Sequence, residues 1–184
     1  MPNSDIIVFD SIHSSFVKLI DAVLATIGAE HQTREPASSA TLERLRSIGM
    51  PPDVIYFYSK SNGALIHRSE SEYDIPSNGS HWQWELLSAE DIESVADSGW
   101  SHSDSPLHQY HTQWFNIVDV QNGDCLTINL EDRFKGEILD TFHETLNNVG
   151  YNQIIAKSFT EVIVKLVGTK ACFWLNGESG YGYR

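Results

Sequence analysis

The side chains best suited to chemistry are gathered in two places. His102, Asp104, His108 and His111 fall in the run "DSGWSHSDSPLHQYHT", and imidazole with carboxylate is the donor set that zinc and other transition metals take. His108 and His111 are three residues apart, which puts them on one face if the segment is helical. The surrounding Ser, Gly and Pro argue against a helix, and the glutamate that lies between paired histidines in zinc proteases is missing. The expectation here is a solvated loop rather than a metal site. His143 and Glu144 form the second candidate, a general acid–base pair. Neighbouring residues on a strand point to opposite faces, so these two need not converge on one substrate. Asp124 directly follows Gly123 in "QNGD", where its carboxylate is placed to cap backbone donors of the turn or to meet a partner. The sequence holds no phosphate-binding glycine loop, no nucleophile elbow and no cysteine paired locally with a histidine. "GESGYG" lacks the following helix that would make it a phosphate cradle. The chain is expected to be no enzyme, with no metal and no cofactor.

The elements that must position these residues follow from periodicity. Phe16, Leu19, Ile20, Val23, Leu24 and Ile27 form a stripe that predicts a helix from Ser15 to Gly28, and "HQTREPASS" reads as a linker. Leu42, Leu45 and Ile48 predict a second helix ending at Gly49. "MPPD" opens a third, with Pro52 suited to the first helical position and "SNG" stopping it. "ALIH" and "HWQWELL" read as strands. "SAED" reads as a capping box starting a helix through Ile92, Val95 and Ala96. Residues 97–113 then form a long loop. "WFNIVDV" and "CLTINL" around Asn122–Gly123 are a hairpin, followed by a strand "EILDTFH". Ser158–Glu161 is a second capping box, leading into Val162, Ile163, Leu166 and Val167, and "ACFWL" reads as a closing strand. Helices lead and strands follow, so the class is α+β with a mainly antiparallel sheet.

Charge narrows the function. The 184 residues carry 25 acids against 12 bases, a formal −13, which disfavours nucleic-acid and anionic-membrane partners. Between Arg68 and Arg133 there is no Lys or Arg but there are 13 acids, so local pairing is impossible there. Such a face either is simply solvated or steers the chain toward a basic protein, and it can block a cationic active site by competing with its substrate. A phosphate-binding nuclease is the natural target of that kind of mimicry. Trp84, Trp114 and Trp174 are expected in the core. Trp100, isolated in a polar loop, is either loose surface or an interface anchor. Cys125 and Cys172 are expected as thiols within strands. The N-terminus lacks a signal-peptide pattern and no segment is long enough for a membrane span, which together predict a cytoplasmic protein.

In order along the chain, "MPPDVIYFYSKSNGALI", "WELLSAEDI", "WFNIVDVQNGDCLTINL", "GEILDTFHE" and "IAKSFTEVIVKLV" resemble the Smi1/Knr4 family, the SUKH superfamily. The resemblance covers roughly residues 40 to 168 and divides the chain into an N-terminal helix and linker (1–37), a family-like domain (38–176) with the long loop 97–113, and a flexible tail (177–184). The early helix and the long loop depart from the family's usual pattern. The resemblance implies helices packed on a curved sheet and a non-catalytic protein-binding role. Many bacterial members are immunity proteins that neutralise a toxin, often a nuclease or deaminase; fungal members act as regulatory scaffolds, which is the alternative. A metal-dependent hydrolase built on the histidine loop is the outside reading. At Gly63, Trp84, Gly123, Asp124, Glu144 and Ser158 the resemblance implies fold maintenance. Glu85, Asp91, Trp100, Asp124 and Glu144 are the partner-binding candidates, the partner being a basic toxin domain.

Overall fold

The computed structural model describes residues 4–67, 83–121, 123–170, 172–174 and 181–184, with side chains from residue 15 onward. Seven strands among them form one sheet in chain order, each antiparallel to the next: β1 (Gln32–Thr33), β2 (Ala64–His67), β3 (Gln83–Leu86), β4 (Trp114–Asp119), β5 (Cys125–Asn129), β6 (Ile138–Thr141) and β7 (Gln153–Ala156). Register shifts between Asn116 and Val118 and between Ile138 and Leu139 are irregularities of the kind that curve a sheet. The helices are α1 (Ser4–Glu30), α2 (Ser39–Ser47), α3 (Pro52–Tyr58), the single turn α4 (His108–His111) and α5 (Phe159–Thr169). The class is α+β, with helices packed on a curved antiparallel sheet. No helix among the described residues is long and apolar enough to cross a membrane.

Period-two alternation gives the sheet two different faces. Ile66, Trp84, Leu86, Val118, Leu126, Ile128 and Ile138 point into the main core, where they meet Ile20 and Ile27 of α1, Phe57 and Tyr58 of α3, and Phe159 and Ile163 of α5. Leu19, part of the predicted stripe, is instead exposed. The rings of Phe57 and Phe159 meet edge-on at 5.3 Å. Beside them the buried Asp53 carboxylate accepts from the Thr160 backbone N–H and hydroxyl, both at 2.9 Å. Thr160 lies in the first turn of α5, so Asp53 caps that helix from α3 while Ser158 caps Glu161 N–H locally at 3.1 Å. Glu161 reaches back to Lys157 N–H at 2.8 Å, completing the capping box one residue early. On the other face, Val95, Trp114, Leu139, Leu146 and Ile154 make a smaller core.

Two expectations need correction. No helix forms over 88–96. Its backbone is engaged by tertiary partners: Ala89 N–H donates to Asn62 Oδ1 at 2.8 Å, Arg44 donates to the carbonyls of Ala89 and Ile92, and Val95 N–H donates to the Trp114 carbonyl at 2.8 Å. Ser94 bridges Phe115, so this segment continues along the β4 edge beyond β3. Cys172–Trp174 lie outside any strand; Trp174 instead packs against Trp84 with ring centroids 6.3 Å apart. The closing strand is β7, a run of four residues too short to announce itself. The parts of the expected strands at His81, Trp82, Ala171 and Leu175 lie outside the described residues. Within 177–184, Tyr183 bridges Gln153 and Arg184 ion-pairs with Glu137 at 2.9 Å.

Candidate functional site: an acidic row ending at Trp100

The second face of the sheet carries a transverse row of polar residues. Glu85 lies opposite Asp119, Asp119 opposite Cys125, and Cys125 opposite Thr141. Residues directly opposite share a face, so four strands hold Glu85, Asp119, Cys125 and Thr141 side by side. Two carboxylates facing each other across neighbouring strands repel, and the fold manages this locally. Arg34, next to β1, ion-pairs with Glu85, and Asp119 Oδ1 accepts from Gln121 N–H at 2.6 Å. The field of the row is legible in the Cys125 thiol. Burial first, then the charges of Asp119, Asp124 and Glu93, push its pKa up to about 12. A thiol so placed stays protonated and is a poor nucleophile.

The row ends at an aromatic. Trp100 is 50% exposed, and its ring centroid is 5.3 Å from that of His143. His143 is fixed by Asp124, which is only 6% exposed and accepts from His143 N–H at 2.9 Å and from Nδ1 at 2.7 Å. Asn147 holds the other side, donating to the Trp100 carbonyl at 3.1 Å and accepting from His102 N–H at 3.0 Å. Trp100, His143, Gly123, Cys125 and Thr141 line one small cleft. Its free volume is about 10 Å³, room for about one water and far below that of a small-molecule pocket. The arrangement offers surface contact: fixed negative charge beside a broad, half-exposed ring.

The histidine-rich loop has a structural occupation. Ser101 Oγ is 2.8 Å from His108 Nδ1 and 2.7 Å from His111 Nδ1, so one hydroxyl ties the loop to both ends of α4. The sequence reading of a loop without helix misses this one turn. His111 is buried against Trp114, with ring centroids 5.1 Å apart. Burial, then the neighbouring His108, pulls its pKa down to about 4, so it is neutral at physiological pH. His102 and Asp104 are exposed. Among the described residues no group of three or more His, Cys, Asp or Glu is placed to hold a metal ion.

Of the partner-binding candidates, the structure joins Trp100 to Asp124 through His143, and it links Glu85 to them along the row. Among the described residues, no hydrogen bond or ion pair ties Asp91 or Glu144 to this grouping. Asp91 is exposed and accepts from the Ser88 hydroxyl at 2.5 Å, while Glu144 is exposed on a turn after β6. That turn also corrects the strand geometry expected for His143 and Glu144, since β6 stops at Thr141. Sequence reasoning missed Asp119, Glu93 and the counter-ion Arg34. The pairing of Asp119 with Cys125 was available by counting outward from the Asn-Gly turn; that of Glu85 with Asp119 was not, because a long loop separates their strands.

Two comparisons bear on this arrangement. An immunity protein of Bacillus subtilis (strain 168), YokJ, is 27% identical over 129 residues, which cover 68% of each chain. The sequence profile of the SMI1 / KNR4 family (SUKH-1) matches residues 37–165, a span that takes in the row, the Trp100 cleft, α2, α3, α4 and the first part of α5. The chain belongs to the SMI1/KNR4 family.

Proposed function

We propose that this protein is an immunity protein that binds a basic toxin domain in the cytoplasm and occludes its active site, the toxin being a nuclease or deaminase. The observation that carries this reading is the like-charge row beside Trp100. Carboxylates set opposite one another weaken the free sheet, and a half-exposed Trp next to them is the residue type that anchors interfaces. Both features become favourable when a cationic surface covers them. The negative field steers that surface in and competes with the phosphates a nuclease would otherwise hold. The likeness to an immunity protein points the same way, and the one-water cleft at Trp100 leaves surface recognition as its use.

The test is a pull-down from host lysate with the wild-type chain and with the double variant Trp100→Ala/Asp119→Lys as baits. The reading expects one basic protein retained in stoichiometric amount by the wild type, weakened by moderate salt, lost by the variant, and toxic when expressed without this chain. A partner held equally by both baits removes the acidic row from the interface. A non-toxic partner replaces immunity with a regulatory scaffold.

A further inference from the structure

A different surface, built from α2, α3 and the turn between β5 and β6, has the opposite character. There a cleft of about 590 Å³ is floored by Met50, Pro52, Ile55 and Tyr56 and rimmed by Arg46 and Lys135. Its volume is within the range of binding pockets. Lys60 adds a third cation, its Nζ 5.4 Å from the centre of the Tyr56 ring. Gly49 lies against Lys135: it has φ +88°, and a Cβ there would lie 3.2 Å from Lys135 Nζ, a tight contact. Two nearby acids are already engaged. Glu43 pairs with Arg46 along one helical turn at 3.2 Å, and Asp21 accepts from the Tyr56 hydroxyl at 2.8 Å. Neither Lys60 nor Lys135 has an acidic partner within ion-pair distance among the described residues. In a chain with 25 acids and 12 bases, an apolar cleft rimmed by Arg46 and Lys135, with Lys60 over the ring of its Tyr56, is a local concentration of cations.

We propose that this cleft docks an acidic, apolar peptide segment of a partner protein. Apolar side chains of the segment would cover Met50, Ile55 and Tyr56, while its carboxylates meet Arg46, Lys60 and Lys135. A second copy of this chain is the weaker occupant, because two bodies of −13 repel each other far more than this chain repels a short segment with a few carboxylates. Nucleic acid, with a charge on every phosphate, is disfavoured for the same reason. The cleft shares no residue with the acidic row, so the two surfaces can be engaged together or by different partners.

The experiment is panning of phage-displayed random dodecapeptides against the full chain at low salt, followed by anisotropy titration of the most enriched peptide. Enriched peptides are expected to combine Asp or Glu with large apolar residues. Their affinity should fall at least ten-fold on Arg46→Glu/Lys135→Glu and stay within two-fold on Trp100→Ala. Both reversed residues are exposed, and an unchanged urea midpoint checks that the variant is folded. The proposal is overturned by no enrichment, by basic or uncharged winners, by equal binding to the double reversal, or by loss with Trp100→Ala. Self-association that the double reversal abolishes would give the cleft to a second copy and overturn it as well.

Discussion

Asp119→Asn separates charge from shape in the acidic row, and it can be tested without any partner. Asparagine keeps the oxygen that accepts from Gln121 N–H at 2.6 Å and nearly the same volume, so the change is one of charge. Directly opposed like charges on neighbouring strands cost roughly 0.2–1 kcal/mol. Arg34 offsets part of the Glu85 charge, while Asp119 has no ion-pair partner among the described residues, so a net repulsion remains for Asp119. The variant should therefore be more stable than wild type by roughly 0.2–0.5 kcal/mol at low ionic strength. Screening shortens from roughly 10 Å at 0.1 M salt to 3 Å at 1 M, so most of the gain should disappear in 1 M NaCl. Urea denaturation at pH 7.5 in low and high salt measures both quantities. Arg34→Ala, which strips the counter-ion, should move stability the other way at low salt. A variant no more stable than wild type, or a gain indifferent to salt, refutes the claim that the row is held against repulsion. A site kept at a cost to the free fold is what a binding surface looks like.

Three further outcomes follow from packing and titration. Gly63→Ala should cost more than about 3 kcal/mol, because Gly63 has φ +88° and a Cβ there would lie 2.5 Å from the Leu86 carbonyl oxygen; loss of the cooperative urea transition, or a large fall in its midpoint, is the readout. Asp53→Ala leaves the Thr160 N–H and hydroxyl without their shared acceptor and should cost about 2–3 kcal/mol, measured the same way. The pH profile combines two opposite signs. His111 has a folded pKa lowered to about 4, so the unfolded chain binds the extra proton between pH 4 and 6.5, and stability falls by roughly 2 kcal/mol as pH drops through that window. Asp140 has a folded pKa raised to about 6, by burial and then by the Asp124 charge. Its folded form holds the extra proton between about pH 4 and 6, so its contribution falls as pH rises there. Asp140→Asn should steepen the acid loss of stability and raise stability at pH 7.5 by about 1–2 kcal/mol; an unchanged slope between pH 4 and 6 counts against the Asp140 assignment.

The elements legible in the sequence were those whose backbone bonds are local. The Asn-Gly turn fixes β4 and β5, Ser158 and Glu161 fix the start of α5, and the proline pair fixes α3; in each case the partner of the key group lies within a few residues. The 88–96 segment carried an equally good local signal, and Ser88 does bond Asp91. It fails as a helix because Asn62, Arg44 and the β4 edge compete for the same backbone groups, and none of them is near in sequence. The buried indoles at Trp84, Trp114 and Trp174 were legible because alternation or composition placed them. The bridge from Ser101 to His108 and His111 was not, since it depends on a loop folding back on itself.

The same distinction explains why the charge was easier to read than the site. A run of acids without a base shows itself by counting, but counting does not say which of them share a face. Register does: the antiparallel order brings β3, β4 and β5 together and aligns Glu85 with Asp119 and Asp119 with Cys125. Glu90 and Asp97, from the same run, are instead spent on bonds within the fold, Glu90 to Asn62 and Thr41 and Asp97 to Ser94. Part of the run is therefore engaged within the fold, while Glu85 and Asp119 face each other in the row leading to Trp100. The basic residues are sorted in the complementary way. Arg34 and Arg44 hold the fold, through Glu85 and through the Ala89 and Ile92 carbonyls, while Lys135 and Lys60 stand without a carboxylate partner among the described residues beside an apolar cleft. Charges that are costly or idle in the free protein stand at two surfaces of opposite sign, each with its own aromatic or apolar ground, and it is this sorting, beyond the total of −13, on which both proposed binding surfaces rest.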